Sequence, residues 1–314
     1  MIARPSRRTI LKAGAAGAGS LLLPRRSDAL FFGSGGAGTN PFTINENATS
    51  NGGGVVLPGN NSTGGKVDRG AGFYPLTVGE KTLVHLVIGD SISSNSCPFY
   101  AVINTLKNDN LNFYDGKVYG YTDPYLGPST GPGSWPGIMA DQLINAGKFQ
   151  RVVTIGCAMG GATSLDWSRL GGFSHRIVAS LLYCRQYNYP LAGPGNSGNW
   201  QMAVSHCLGT NDQAQAYTAQ QYTDNTNSCI SILWNYGYKG KIFIPTMTLL
   251  ANVVSPTLQA AQAAMINNAL GIYSLGNFDS LTGPTNRQPD GTHPTSVGAT
   301  GIASFASATI MANY

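Results

Sequence analysis

The sequence predicts an α/β fold built on a parallel sheet. Three observations carry that prediction: short, nearly continuous apolar runs that close on glycine, helix-length amphipathic stretches between them, and the regular alternation of the two from Thr82 onward. A strand covered on both faces reads as an unbroken apolar run. Strands alternating with helices return through right-handed crossovers to a sheet with helices on both sides.

The first run, 82–88 (TLVHLVI), ends at Gly89, and the second, 151–155 (RVVTI), ends at Gly156. The third, 201–208 (QMAVSHCL), ends at Gly209; the fourth, 241–247 (KIFIPTM), carries Pro245 near its end. Helical periodicity predicts helices over 135–146, 173–187, 219–236, 258–273 and 296–311. Ligands of such sheets bind outside the carboxyl ends of the strands. The informative residues should therefore follow each apolar run.

The segments before Thr82 read differently. Residues 1–29 carry Arg4, Arg7, Arg8, Lys12, Arg25 and Arg26 against Asp28 alone. Of 19 basic and 14 acidic residues, 13 and 13 remain beyond that segment, which is net zero. The basic balance thus belongs to the N-terminus and gives no argument for nucleic-acid binding. Ser6-Arg7-Arg8-Thr9-Ile10-Leu11-Lys12 followed by a weakly apolar, Ala/Gly-rich stretch fits a twin-arginine export signal. The machinery that reads such signals is the partner it implies, and the periplasm or the exterior the destination. Cleavage is expected after Ala29 or after Ala37. The apolar stretch is far shorter than the roughly 20 residues that span a bilayer, and no other is long and apolar enough to cross one, so no stable membrane insertion is expected.

Residues 30–81 are rich in Gly and Asn and poor in apolar residues, which predicts a flexible extension before a domain at 82–314. Charged residues make up 11% of the chain, against roughly 25% in soluble domains. Much of the surface is then neutral and polar, which suits contact with uncharged, hydroxyl-rich material and equally keeps a secreted protein soluble. The spacing of Cys97, Cys157, Cys184, Cys207 and Cys229 fits no zinc or redox motif, so they form a disulfide or stay as buried thiols.

Four segments carry the chemistry. Gly89-Asp90-Ser91 follows the first apolar run, where a tight strand-to-helix turn exposes a hydroxyl at the sheet edge. Gly156-Cys157-Ala158-Met159-Gly160-Gly161 follows the second, its glycines letting backbone N–H groups approach a ligand. Gly209-Thr210-Asn211-Asp212 follows the third; Asn211 could donate to an oxyanion or cap a helix. Asp290-Gly291-Thr292-His293 precedes the last helix, and Asp three residues before His on a tight turn can orient the imidazole. His85 and His206 fall inside apolar runs and His175 in a helical stretch, so all three read as core or supporting residues.

In this order and at these places, the four segments resemble the four blocks of the GDSL/SGNH hydrolase family over 82–314. The resemblance implies a three-layer α/β/α, flavodoxin-like sandwich with a five-stranded parallel sheet. It also implies a serine hydrolase with Ser91 as nucleophile, His293 as base and Asp290 as its orienting carboxylate. The implied oxyanion hole is made by the Ser91 N–H, the Asn211 amide and the N–H of Gly161, with Gly160 as the alternative. The second block lacks the Asn found in many members. Its Cys157-Ala158-Met159-Gly160-Gly161 instead resembles the sialate and xylan acetylesterase branch. That branch, the neutral surface and the aromatics Tyr119, Tyr121, Tyr125, Trp135 and Trp167 point to acetylated carbohydrate as substrate. A lipase or thioesterase, a polysaccharide O-acyltransferase and a non-catalytic exported binding protein are the other readings. No metal-ligand spacing and no phosphate loop occurs, so no cofactor is expected.

Overall fold

The computed structural model describes residues 59–71, 79–101, 103–129, 131–191 and 199–314. The expected export segment, both cleavage positions and most of the expected extension lie outside the described residues. All described residues belong to one unit spanning Phe42–Tyr314.

Among the described residues eight strands form a single sheet: β1 (Asp68–Ala71), β2 (Thr82–Gly89), β3 (Asn108–Asn112), β4 (Lys117–Gly120), β5 (Arg151–Gly156), β6 (Trp200–Cys207), β7 (Lys241–Thr246) and β8 (Ile272–Asn277). Their order is β1-β4-β3-β5-β2-β6-β7-β8. The six strands from β3 to β8 along that order are parallel, and β4 and β1 add antiparallel to the β3 edge. The expected five-stranded parallel sheet is therefore too small. Within the larger sheet, β5-β2-β6-β7-β8 keeps the 2-1-3-4-5 order of flavodoxin-like folds.

The helices are α1 (Pro136–Asn145), α2 (Ser164–Trp167), α3 (Ser174–Gln186), α4 (Thr210–Ala214), α5 (Ala219–Asn235), α6 (Pro256–Met265), α7 (Gly283–Asn286) and α8 (Ser296–Asn313). Val84, Leu86 and Ile88 of β2 face one core with Ile177 of α3, Leu233 of α5 and Leu258 of α6. Leu83 and Val87 face the other, with Leu143 of α1 and Ile302 and Ala306 of α8. Alternate side chains of one buried strand thus serve two helix layers. Among the described residues no helix is long and apolar enough to cross a membrane.

Three departures from the sequence reading have physical causes. β3 reads Asn-Asp-Asn-Leu-Asn and carries no apolar signal, yet all five residues are buried. Most of its polar groups are paired: Asn108 donates to Gly137 O and Asp141 Oδ1, and Asn110 donates to Thr154 O while accepting from Leu126 N. The expected helix over 258–273 stops at Met265, where Ile266 is extended, and a 3-10 turn over Asn268–Leu270 closes on Gly271 at a left-handed φ of 78° before β8. Part of the expected flexible extension is packed: β1 pairs with β4, and Asn60 is buried with its amide on Pro124 O and Tyr125 O.

The same edge holds a buried ion cluster. Arg151 of β5 donates to Glu80 (3.0 Å) and to Asp109 of β3, while Arg69 reaches Asp109 at 3.3 Å and Lys107 reaches Glu80 at 2.6 Å. Arg151→Met keeps most of the stem packing and leaves two carboxylates short of a partner. Removing one member of a buried ion pair costs roughly 3–5 kcal/mol, which chemical denaturation of the variant should show. A loss below about 1 kcal/mol would mean that solvent or Arg69 and Lys107 replace it.

Candidate active site

The sheet's carboxyl edge collects the four segments. Ser91 opens a single 3-10 turn, Ser91–Ser93, directly after β2. Gly89 is required there: a Cβ would stand 2.8 Å from both Cys207 O of β6 and Ser93 Cβ. Asp90 caps the turn, its Oδ1 accepting from Ile92 N at 2.9 Å.

His293 reaches this turn from the other end of the chain. Its Nε2 is 2.8 Å from Ser91 Oγ, and its Nδ1 is 2.6 Å from Asp290 Oδ2. The other oxygen of Asp290 accepts from the backbone N–H groups of Thr292 and His293 at 2.8 and 3.0 Å. Burial pushes the Asp290 carboxyl up, but the hydrogen bonds from the His293 ring and the two N–H groups outweigh it and hold the group below its ordinary value. An ionised Asp290 favours the Nδ1–H tautomer of His293, which leaves Nε2 to accept from Ser91.

The turn that carries these two residues is anchored by Arg287, which sequence reasoning passed over. Its side chain is buried, and its guanidinium donates to Phe278 O, Leu281 O and Thr292 O at 2.6–2.7 Å. Gln288 adds a bond from its N–H to His293 O at 2.8 Å and a side-chain bond to Ser96 O at 3.1 Å. Thr295 then caps α8 by accepting from Gly298 N. Neither Arg287 nor Gln288 belongs to a recognisable motif.

Asn211 is the second residue of α4, and the helix cap is Gly209, so capping is not its role. Its Nδ2 lies 3.4 Å from Asp90 Oδ2, which puts the amide beside the Ser91 turn. After β5, Met159 N donates to Gly89 O at 3.0 Å, and the chain turns through Gly160 and Gly161, the latter at a left-handed φ of 76°. Gly160 N donates to Ser129 Oγ at 2.8 Å. Ser129 lies in the long loop between β4 and α1, within the turn-forming run 127–134 (GPSTGPGS).

The remaining expectations resolve simply. His85 and His206 are fully buried, and burial lowers their pKa to about 3 and about 4, which keeps both neutral. All five cysteines are buried free thiols. Tyr119, Tyr121, Tyr125, Trp135 and Trp167 are all at most 5% exposed, so they are core rather than a surface for sugars. Among the described residues no group of His, Cys, Asp or Glu could hold a metal ion.

No family model and no curated protein matches the chain. Solved structures do. A protein from Arabidopsis thaliana is similar over 75% of this chain and 99% of its own, with 13% identity and a TM-score of 0.55. An acetyl esterase solved as a mutant with acetate is similar over 74% of this chain and 97% of its own (13% identity, TM-score 0.46). A carbohydrate esterase family 3 member from Talaromyces cellulolyticus is similar over the same shares (13% identity, TM-score 0.45). The likeness to the Arabidopsis thaliana protein is one of fold alone.

Two buried carboxyls lie under the site. Burial raises Asp212 to about 6 against the hydrogen bonds from Ser164, and raises Asp90 to about 8, with the Asp212 charge adding to it. Asp90 therefore keeps its proton when folded and loses it when unfolded above about pH 4. Unfolding releases that proton, so this group's contribution falls as pH rises from about 4 to about 8 and is constant beyond. Asp90→Asn removes the effect. Its melting temperature relative to the parent should climb across that window, and a gap independent of pH would mean that Asp90 is ionised in the fold.

Proposed function

We propose that this chain is an exported serine esterase of the GDSL/SGNH type, a carboxylic ester hydrolase that removes short O-acyl groups, acetyl among them, from carbohydrate. The observation that carries the reading is the hydrogen-bonded chain Asp290–His293–Ser91, with links of 2.6 and 2.8 Å at the carboxyl edge of the sheet. In this reading Ser91 Oγ attacks the ester carbonyl carbon as His293 Nε2 takes its proton. The tetrahedral oxyanion collapses, the C–O bond to the alcohol breaks, and Nε2 returns the proton to the departing oxygen. Water then repeats the sequence on the acyl-enzyme and releases the acid.

The oxyanion is held by the Ser91 N–H, the Asn211 amide and an N–H of the Gly160–Gly161 turn. Each such donor is worth about 3 kcal/mol of barrier in comparable sites. Preference for carbohydrate rests on the second block and the neutral surface, because the buried aromatics lend it nothing. Export rests on Arg7 and Arg8 within the N-terminal pattern, and places the mature protein in the periplasm or outside the cell.

Ser91→Ala should abolish hydrolysis of chromogenic acetyl esters while leaving the melting temperature within a few degrees, since the hydroxyl's one bond is to His293. A triad serine accounts for several orders of magnitude in rate; a folded variant with more than about a tenth of the parent rate would remove Ser91 from the mechanism.

Export is tested separately. Arg7→Lys with Arg8→Lys preserves the charge and breaks the pattern, so the double variant should accumulate in the cytoplasm as folded precursor. Normal periplasmic yield would show that another route reads the segment.

A further inference from the structure

One open space beside the nucleophile has an unusual boundary. A Cβ placed on Gly160 would have two described neighbours within 4 Å: Ser129 Oγ at 3.4 Å and Ser91 Cβ at 4.0 Å. By contrast, a Cβ on Gly156, at the end of β5, would collide with Tyr125 and Pro128. The face of Gly160 is thus a methyl-sized opening with the Ser91 and Ser129 side chains on its rim.

Ser129 is held firmly at that rim. Its N–H donates to Ala158 O at 3.1 Å, and its carbonyl accepts from Asn95 Nδ2 at 3.2 Å. Asn95 is itself buried and clasps Tyr125 through both its amide groups, at 2.9 and 3.0 Å. The Tyr125 hydroxyl in turn donates to Ser93 O in the nucleophile turn. The β4–α1 loop is therefore tied to both the Ser91 turn and the Gly160 turn.

The hydroxyl of Ser129 is used on one side. Its oxygen accepts from Gly160 N at 2.8 Å, and no acceptor among the described residues takes its hydrogen. Accepting a bond polarises an O–H toward donating another.

We propose that Ser129 is a further donor of the oxyanion site: its hydroxyl, fixed by Gly160 N–H, donates to the acyl carbonyl oxygen of a substrate seated over Gly160 between Ser129 and Ser91. This rests on Ser91 being the nucleophile. It also gives Gly160 a distinct part, since its N–H orients Ser129 and its missing side chain leaves room for the acyl group. A donor that matters most once charge develops should act on turnover more than on binding.

The test uses p-nitrophenyl acetate and a fluorophosphonate, from which Ser91 Oγ displaces fluoride to form a P–O bond detectable by mass. Ser129→Ala should lower kcat by about a hundredfold with KM within about threefold, and Ser129→Thr, which keeps the hydroxyl, should recover most of it. Gly160→Ala adds a methyl at ordinary contact distances, so it should melt like the parent yet react with the phosphonate at least about tenfold more slowly. A kcat for Ser129→Ala equal to or above the parent's would overturn the proposal, because it would mean that the hydroxyl merely covers Gly160 N–H. Should Ser129→Ala fail to fold, phosphonylation of Gly160→Ala at the parent rate would overturn it instead. Absence of label on Ser91 in the parent protein would overturn the nucleophile assignment and this inference with it.

Discussion

Everything at the candidate site is measured from the carboxyl end of β2, where β2 and β6 run so close that only glycine fits. A Cβ on Gly89 would stand 2.8 Å from Cys207 O. That contact, with the bond from Asp90 N to the same carbonyl, forces the chain into the turn that presents Ser91. Because β2 lies between β5 and β6 in a parallel sheet, the segments after those two strands emerge on either side of Ser91. The Gly160 turn and Asn211 are there by topology before any side chain is considered.

The turn and its neighbours are then fixed by polar groups taken out of water. Asp90 and Asp212 are fully buried, and Arg287 and Asp279 nearly so. Each is costly unless its bonds are made. Arg287 meets the condition with three carbonyls, and Asp279 with the N–H groups of Thr248 and Leu249, the Thr248 hydroxyl and the Gln259 amide. Asp90 meets it by keeping its proton. Such groups have few alternative arrangements, and a site made of them needs little reorganisation when charge develops on a substrate.

What the sequence made legible follows from this physics. β2, β5, β6 and β7 announce themselves because a strand buried on both faces must be apolar, and Gly89 and Gly156, which end β2 and β5, with Gly209, which follows β6, mark where the chain turns at the sheet's carboxyl edge. Ser91 and Asn211 stand out because they follow those ends, and Asp290 and His293 because they share a tight turn before α8; the structure brings Ser91, His293 and Asp290 within hydrogen-bond distance. β3 was illegible because its burial is sustained by side-chain hydrogen bonds to Gly137, Asp141, Leu126 and Thr154, none adjacent in sequence. The same reason hid Ser129, Asn95 and Arg287, whose parts depend on partners 5 to 34 residues away. The buried aromatics misled for the opposite reason, since composition cannot tell a sugar platform from a core ring.

The loop after β7 shows how far such distant partners can hold the chain from its preferred conformation. Leu250 and Val253 bond to each other in both directions, at 2.8 and 2.9 Å, around Ala251 and Asn252 at φ of 48° and 64°. A left-handed alanine costs about 1–2 kcal/mol, and asparagine tolerates the region better. The strain persists because its surroundings over-determine it. Ala251 N donates to Thr292 Oγ1, Asn252 N donates to Gly291 O, and Gln213 of α4 donates to Val253 O. A relaxed turn would break contacts to both the Asn211 helix and the His293 turn. The loop thus ties together two segments that no strand pairing joins, and sets their spacing across Ser91. The sheet places Ser91 and the Gly160 turn, and this tie places the His293 turn against the Asn211 helix.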